Sequence, residues 1–234
     1  MTDARENEED TEGGAWGRVI FPIILSSPSG GGKTTIAHRL LAQRADVGYS
    51  VSCTTREPRR GEQDGVDYHF LTRDEFIERR RLGEFIESAE VHGNLYGTLR
   101  REVSRVLSGG RHVIMDIDVQ GARLIRESFP AAVSVFLLPP SADVLLERLK
   151  RRHTESPAQL LDRLHSALHE LRAVNEYDYV VVNDDLDQAV GRVGSIVDAE
   201  VVSRERIFGL QLNVEQLIAR LESEIERHST IDRS

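Results

Sequence analysis

Ser26-Ser-Pro-Ser-Gly-Gly-Gly-Lys-Thr-Thr35 is the stretch that decides the fold. It follows the apolar run Val19-Ile-Phe-Pro-Ile-Ile-Leu25 and precedes a helical pattern over residues 36–43. A buried strand, a glycine-rich turn and a helix start, in that order, make a phosphate cradle. Three consecutive glycines let the backbone curl so that successive N–H groups face an anion. A helix beginning near Gly32 adds its positive dipole end and its unpaired N–H groups. Lys33 is placed to reach the β- and γ-phosphates of a nucleoside triphosphate, and the Thr34 hydroxyl is a ligand for Mg²⁺. The strict spacing G-x-x-x-x-G-K-[ST] asks for glycine where Ser27 stands. The alternative is a chance glycine turn ahead of Lys-Thr, and the flanking strand and helix speak against it.

Working outward, residues 19–25, 49–53, 112–117, 132–138 and 179–182 read as short strands rich in β-branched and aromatic residues. Helical patterns alternate with them at 34–43, 119–128, 141–151 and 186–204. Such alternation predicts an α/β fold, with a parallel sheet covered by helices on both faces. The rhythm breaks between residues 56 and 110. There, 68–71 and 84–87 read as short strands around a helix at 74–81, an inserted lobe of mixed structure. Arginines at 148, 151, 152 and 163, with Lys150, mark a basic flap, and Pro157 marks a helix start within it. After Gly209 comes a last amphipathic helix, with Val214, Leu217, Ile218, Leu221 and Ile225 on one face and Asn213 as its expected cap. Its apolar face suits docking on its own core or on another subunit.

Composition narrows the class. The 234 residues are 39% hydrophobic and 29% charged, ordinary for a globular protein with a sizeable core. Thirty basic against 39 acidic residues give a net charge of −9, which argues against a duplex nucleic acid partner. The acidic, apolar-poor residues 1–17 read as a disordered tail. They lack the basic and apolar regions of a signal peptide, and no apolar run is long enough to span a bilayer. The expected location is therefore the cytoplasm, with no membrane partner. Cys53 is the only cysteine, so no internal disulfide forms.

A second site is expected at the end of the second strand, because ligands of open α/β sheets bind at carboxyl ends. Arg56 and Arg59 offer forked donors for a phosphate monoester, although two arginines around Pro58 also fit a solvated turn. Tyr68 and Tyr96 add hydroxyls. Glu87 sits among apolar residues in Glu84-Phe-Ile-Glu87. A buried carboxylate there pairs with a base presenting two adjacent N–H donors, which guanine has on N1 and N2 and adenine lacks. Hydroxyls of Ser52 and Thr98 are expected to donate to the guanine O6. The alternative is that Glu87 faces water. His165 and His169, one turn apart, lack a third ligand and read as a surface pair.

With these residues in view, the chain resembles the guanylate kinases, which phosphorylate GMP to GDP. The likeness runs through Pro28-Ser-Gly-Gly-Gly-Lys-Thr34, Ser52-Cys-Thr-Thr-Arg56, Gly61-Glu62 and Gly65-Val-Asp-Tyr68. It continues through Glu84-Phe-Ile-Glu87, Gly93-Asn-Leu-Tyr-Gly97, Asp116-Ile-Asp-Val-Gln-Gly121, Phe136-Leu-Leu-Pro-Pro140, Arg148-Leu149 and Asn183-Asp-Asp-Leu186. It covers 18–205. The resemblance implies a P-loop NTPase fold with its core at 18–52 and 111–205, a GMP-binding lobe at 53–110 and a lid at 148–163. Residues 206–234 form a helical extension beyond it.

The same resemblance implies residue roles. Ser27, Pro28, Ser29, Gly30, Gly31, Gly32, Lys33 and Thr34 hold the ATP phosphates, and Asn183 and Asp184 lie near the adenine. Ser52, Glu87, Gly97, Thr98 and Asp118 serve the guanine, while Arg56, Arg59, Tyr68 and Tyr96 hold the GMP phosphate. Lys33, Arg59, Arg148, Arg152 and Arg163 surround the transferred phosphoryl group, and Thr34 and Asp116 hold Mg²⁺. The implied partners are ATP and GMP, as monomer or homo-oligomer, in purine nucleotide metabolism. Two other readings are a guanylate-kinase-like module that binds proteins without catalysis, and a related kinase acting on a ribose bisphosphate. Lys33, Arg56 and Arg59 argue against the first, and Glu87 with Ser52 and Thr98 against the second. The chain departs from the family pattern at Ser27 and in its lid, where Arg151-Arg-His-Thr154 lacks the usual glycines.

Overall fold

The structure is a computed structural model that describes residues 17–91, 93–150 and 157–231. In chain order its elements are β1 (Gly17–Arg18), β2 (Pro22–Ser26), α1 (Lys33–Gln43), β3 (Val47–Tyr49), β4 (Cys53–Thr54) and β5 (His69–Phe70). Then come α2 (Arg73–Arg81), β6 (Phe85–Val91), β7 (Asn94–Leu99), α3 (Arg100–Ser108), β8 (His112–Asp116), α4 (Val119–Ser128) and β9 (Val133–Leu138). The last are α5 (Ala142–Lys150), α6 (Pro157–Arg172), β10 (Tyr179–Val182), α7 (Leu186–Val201), β11 (Ile207–Phe208) and α8 (Leu210–Ile231).

Residues 20–196 form one compact unit. Its core is a five-stranded sheet in the order β10-β9-β2-β8-β3, parallel throughout. β2 is central and wholly buried, with Ile24 opposite Met115 on one side and Ser134 on the other. One face of the sheet presents Ile24, Val113 and Met115 to Val103 and Val106 of α3 and to Ala122 and Ile125 of α4. On α1, Ile36, Ala37 and Leu40 are buried at helical spacing. The connection from β2 runs toward β3 and β8 while β9 pairs on the opposite side. The end of β2 is therefore the switch point at which open α/β sheets bind ligands.

A second sheet in the same unit has the order β5-β4-β7-β6. It forms because the predicted strand 49–53 divides in two. Val47–Tyr49 stays in the parallel sheet and Cys53–Thr54 joins the second one, so Ser52 lies in the crossing between them. Cys53, Phe76, Phe85, Leu95 and Leu99 make the small core of this sheet, with Phe76 stacked on Phe85 at 4.4 Å between ring centroids. Thr72 caps α2 in a reciprocal box with Glu75, so this helix starts where its sequence signals it. Two elements go beyond the sequence reading. Residues 94–99 form a strand, and Arg100–Ser108 form a helix that buries Val103 and Val106.

The second unit comprises residues 17–19 and 197–231 as described here. In it β1 and β11 pair antiparallel, Gly17 opposite Phe208 and Arg18 opposite Ile207. The helix expected over 186–204 ends at Val201, and Arg204–Arg206 form a single 3₁₀ turn. Asn213 is not the cap of the last helix. α8 begins at Leu210, and the Asn213 N–H already donates to the Gly209 carbonyl at 2.9 Å inside it.

Truncating Phe76 to alanine should cost about 3–5 kcal/mol by opening a cavity beneath the second sheet. A urea titration followed by circular dichroism would read the loss, and an unchanged midpoint would count against this packing.

Candidate active site

The loop after β2 is shaped by where its carbonyl groups go. The Pro28 carbonyl accepts from the Gly31 N–H at 2.8 Å and from the Ser27 hydroxyl at 2.9 Å. Lys33 Nζ donates to the Ser27 carbonyl at 3.1 Å, and Asn183 Nδ2 to the Gly31 carbonyl at 2.8 Å. With these carbonyls engaged on its outer side, the loop can turn its N–H groups toward the cleft. Space enforces two of the glycines. A Cβ on Gly31 would lie 2.3 Å from Ser27 Oγ, and one on Gly32, whose φ is +91°, would lie 2.9 Å from Asn183 Nδ2. Ser27, the departure from the family spacing, thus fits because its side chain folds over Gly31.

Beside the loop, Thr34 in the first turn of α1 donates its hydroxyl to Asp116 Oδ2 at 2.5 Å. The other oxygen of Asp116 accepts from the Tyr49 hydroxyl at 2.5 Å. Burial and the neighbouring Asp116 carboxylate hold the Tyr49 phenol far above its ordinary range, so it remains a donor. Asp118 caps α4, its Oδ1 accepting from the N–H groups of Gln120 and Gly121 at 2.8 Å each.

Facing these groups across a cleft of about 550 Å³ are Ser52, Arg56, Arg59, Tyr68, Glu87, Tyr96 and Gly97. The β6–β7 pairing carries a bulge. Phe85 lies opposite Leu99, yet Glu87 lies opposite Thr98. The extra residue, Ile86, lets Phe85 enter the small core while Glu87 and Thr98 meet on the side of the cleft. Thr98 donates to Glu87 Oε1 at 2.6 Å, and both residues are buried. In the ligand-free protein the Thr98 hydroxyl is thus engaged with Glu87 and orients its carboxylate. Ser52 Oγ is buried with no hydrogen-bond partner among the described residues, which leaves it as the free hydroxyl at this end. Burial pushes the Glu87 carboxyl up to about 7; the Thr98 bond opposes the shift and the Asp118 charge adds to it. A Cβ on Gly121 would stand 3.0 Å from Glu87 Oε2, so the glycine makes room for the carboxylate.

The cationic residues are also tied down. Arg56 pairs with Glu62 at 2.9 Å and lies 5.4 Å from the centre of the Tyr68 ring. The other oxygen of Glu62 accepts from the Arg59 N–H at 2.7 Å, so one carboxylate sets both arginines. Arg148 Nη2 approaches the Asn183 carbonyl at 3.4 Å. Arg163, 6% exposed, donates to the Leu149 carbonyl at 2.7 Å and reaches Ser29 Oγ at 3.5 Å. Asp184 is exposed and engaged with Arg192 at 3.2 Å and with the Asp185 N–H. Arg152 and the rest of the segment 151–156 lie outside the described residues.

A family model described as guanylate kinase matches residues 20–200. The chain belongs to the guanylate kinase family. A guanylate kinase of Chelativorans sp. (strain BNC1) is 49% identical over 198 residues, 84% of this chain and 91% of that protein. One from Symbiobacterium thermophilum is 49% identical over 178 residues, 76% and 84% of the two chains. The crystal structure of guanylate kinase from Anaplasma phagocytophilum has a TM-score of 0.71 at 36% identity, covering 86% of this chain and 96% of that one.

Three residues of this guanylate kinase site are missing from the roles assigned by sequence: Tyr49, which orients Asp116, Glu62, which fixes Arg56 and Arg59, and Glu170, whose Oε2 accepts from the Ser29 N–H at 3.0 Å. Glu62 stood within the matched motif, in register with Arg59. The other two act across 67 and 141 residues of chain, and no local pattern marks them.

The raised Glu87 carboxyl has a stability consequence with a definite sign. Its pKa in the fold, about 7, lies above the ordinary 4.5, so its contribution is fully present below 4.5 and is lost as pH rises through 7. Glu87→Gln should therefore stabilise the ligand-free protein at pH 8 by about 1–3 kcal/mol, raising its melting temperature, and leave both nearly unchanged at pH 5. Calorimetric melts at the two pH values would check this, and a lower melting temperature at pH 8 would sink it.

Proposed function

We propose that this guanylate kinase moves the γ-phosphoryl group of ATP onto GMP, with the residue roles that follow. The observation that carries the reading is a buried carboxylate, Glu87, with an unpartnered hydroxyl, Ser52, in one cleft with a phosphate loop. Guanine N1–H and N2–H donate to the two Glu87 oxygens, and Ser52 donates to O6. A base without that donor pair leaves the carboxylate buried and unmatched, which discriminates strongly.

A GMP phosphate oxygen attacks the γ-phosphorus, a P–O bond forms, and the bond to the β-bridging oxygen breaks to leave ADP. The attacking oxygen is already anionic, so catalysis is alignment and charge stabilisation. Arg56, Arg59, Tyr68 and Tyr96 hold the acceptor phosphate. Lys33 and the loop N–H groups hold the donor, and Arg148 and Arg163 stand beside the loop to neutralise charge on the moving group. Thr34 and Asp116 offer hard oxygen ligands and would hold Mg²⁺, which supplies charge neutralisation to the ATP phosphates when bound.

ADP release measured with GMP, AMP, UMP and a ribose bisphosphate tests the acceptor. GMP should be used at least about 10³-fold better than the others by kcat/KM, and Lys33→Ala should abolish turnover while keeping the melting temperature. Preference for a ribose bisphosphate would replace this reading.

The carboxyl at about 7 also makes GMP binding a proton-linked event. Guanine requires the ionised form, so at pH 7 about half a proton should leave Glu87 for each GMP bound. Titration calorimetry in buffers of different ionisation enthalpy measures it; proton uptake on binding would contradict the pairing.

A further inference from the structure

Among the described residues, Glu170 is the acidic side chain that takes an N–H of the phosphate loop. It arrives there through the packing of α6. Arg163, Ala167 and Glu170 fall on one face of that helix, at spacings of four and three. Ala167 is 3% exposed and packs with Leu145 and Leu149 of α5. This small contact seats α6 so that both flanking side chains reach Ser29. Arg163 approaches its hydroxyl at 3.5 Å, and Glu170 accepts from its backbone N–H at 3.0 Å. The carboxyl lies in the same cleft as Lys33; burial raises it above its ordinary range, and the Lys33 charge opposes that shift.

In the proposed reaction the loop N–H groups are donors to triphosphate oxygens. One N–H cannot serve a carboxylate and a phosphate oxygen in the same place, and two anions side by side repel. We propose that Glu170 is an internal anion on the donor-phosphate position of the loop, displaced from the Ser29 N–H when a triphosphate binds. It thereby sets ATP affinity below what the bare loop would give and favours release of the spent nucleotide. Glu170 touches the loop rather than the acceptor half, so its influence falls on ATP, ADP and inorganic tripolyphosphate and leaves GMP alone.

This inference rests on the reading of the loop as the ATP site, and the experiment separates the two. Titration calorimetry with ATP, tripolyphosphate and GMP is run on the wild-type protein, on Glu170→Gln and on Glu170→Ala. Wild-type protein that binds neither ATP nor tripolyphosphate overturns the site reading itself. If it binds them, both variants should bind them about tenfold more tightly, because removing the charge removes the competitor, with GMP affinity unchanged. The glutamine variant keeps the shape of the side chain, and the alanine variant answers the question if glutamine does not fold. A brace that merely held α6 to the loop would, when removed, weaken ATP binding and lower the melting temperature. Weakened or unchanged ATP affinity in a folded variant, or an equal gain for GMP, overturns the proposal.

Discussion

The site depends on one constraint: a loop can aim its N–H groups at a ligand only if its carbonyl groups find donors elsewhere. Three of the four residues that meet this demand lie in the loop or at the start of α1, and the fourth is far away in sequence. Ser27 and Gly31 close the loop on Pro28, Lys33 reaches back to Ser27, and Asn183 crosses from the end of β10 to Gly31. The central position of β2 makes this possible, because β9 and β8 flank it and their carboxyl ends surround the loop. The parallel sheet is thus the frame that lets one side chain 152 residues away hold the cradle open.

The acceptor half follows a different principle. A carboxylate removed from water without a full set of partners is costly, and the protein keeps Glu87 there with a threonine hydroxyl as its principal support. That arrangement is poor for the stability of the empty protein; on the proposed function it favours discrimination, because a base that supplies two N–H donors relieves the deficit. Affinity for the right base and strain in the empty site come from the same burial.

The sequence carried the strand–loop–helix unit, the parallel sheet and most of the cleft residues, because glycine spacing and apolar runs are local signals. It carried less where function depends on the third dimension. Strand 49–53 looked continuous because Tyr49 and Cys53 are both good strand residues, although the chain crosses between two sheets there. The bond from Thr98 to Glu87 could not be read from spacing, because it depends on the bulge that sets the two residues opposite each other. Tyr49 and Glu170 went unassigned because a tyrosine in a strand and a glutamate in a helix are ordinary in isolation. The structural roles of Asn183 and Asp118, as loop brace and helix cap, likewise appear only once the loop and α4 are in place.

The bulge at Ile86 decides which side chains of β6 share a face. Residues two apart on a regular strand point the same way, so a strand that kept all its residues and lost the bulge could not send Phe85 to the small core and Glu87 to the cleft at once. Deleting residue 86 would instead leave Phe85 opposite Leu99 and Glu87 opposite Thr98 as neighbours on a regular ladder, still on opposite faces. A slip of register elsewhere in the hairpin has no such protection and would turn Glu87 away from the cleft. The β6–β7 pair is thus more open to a change of length at this one position than to a change of register.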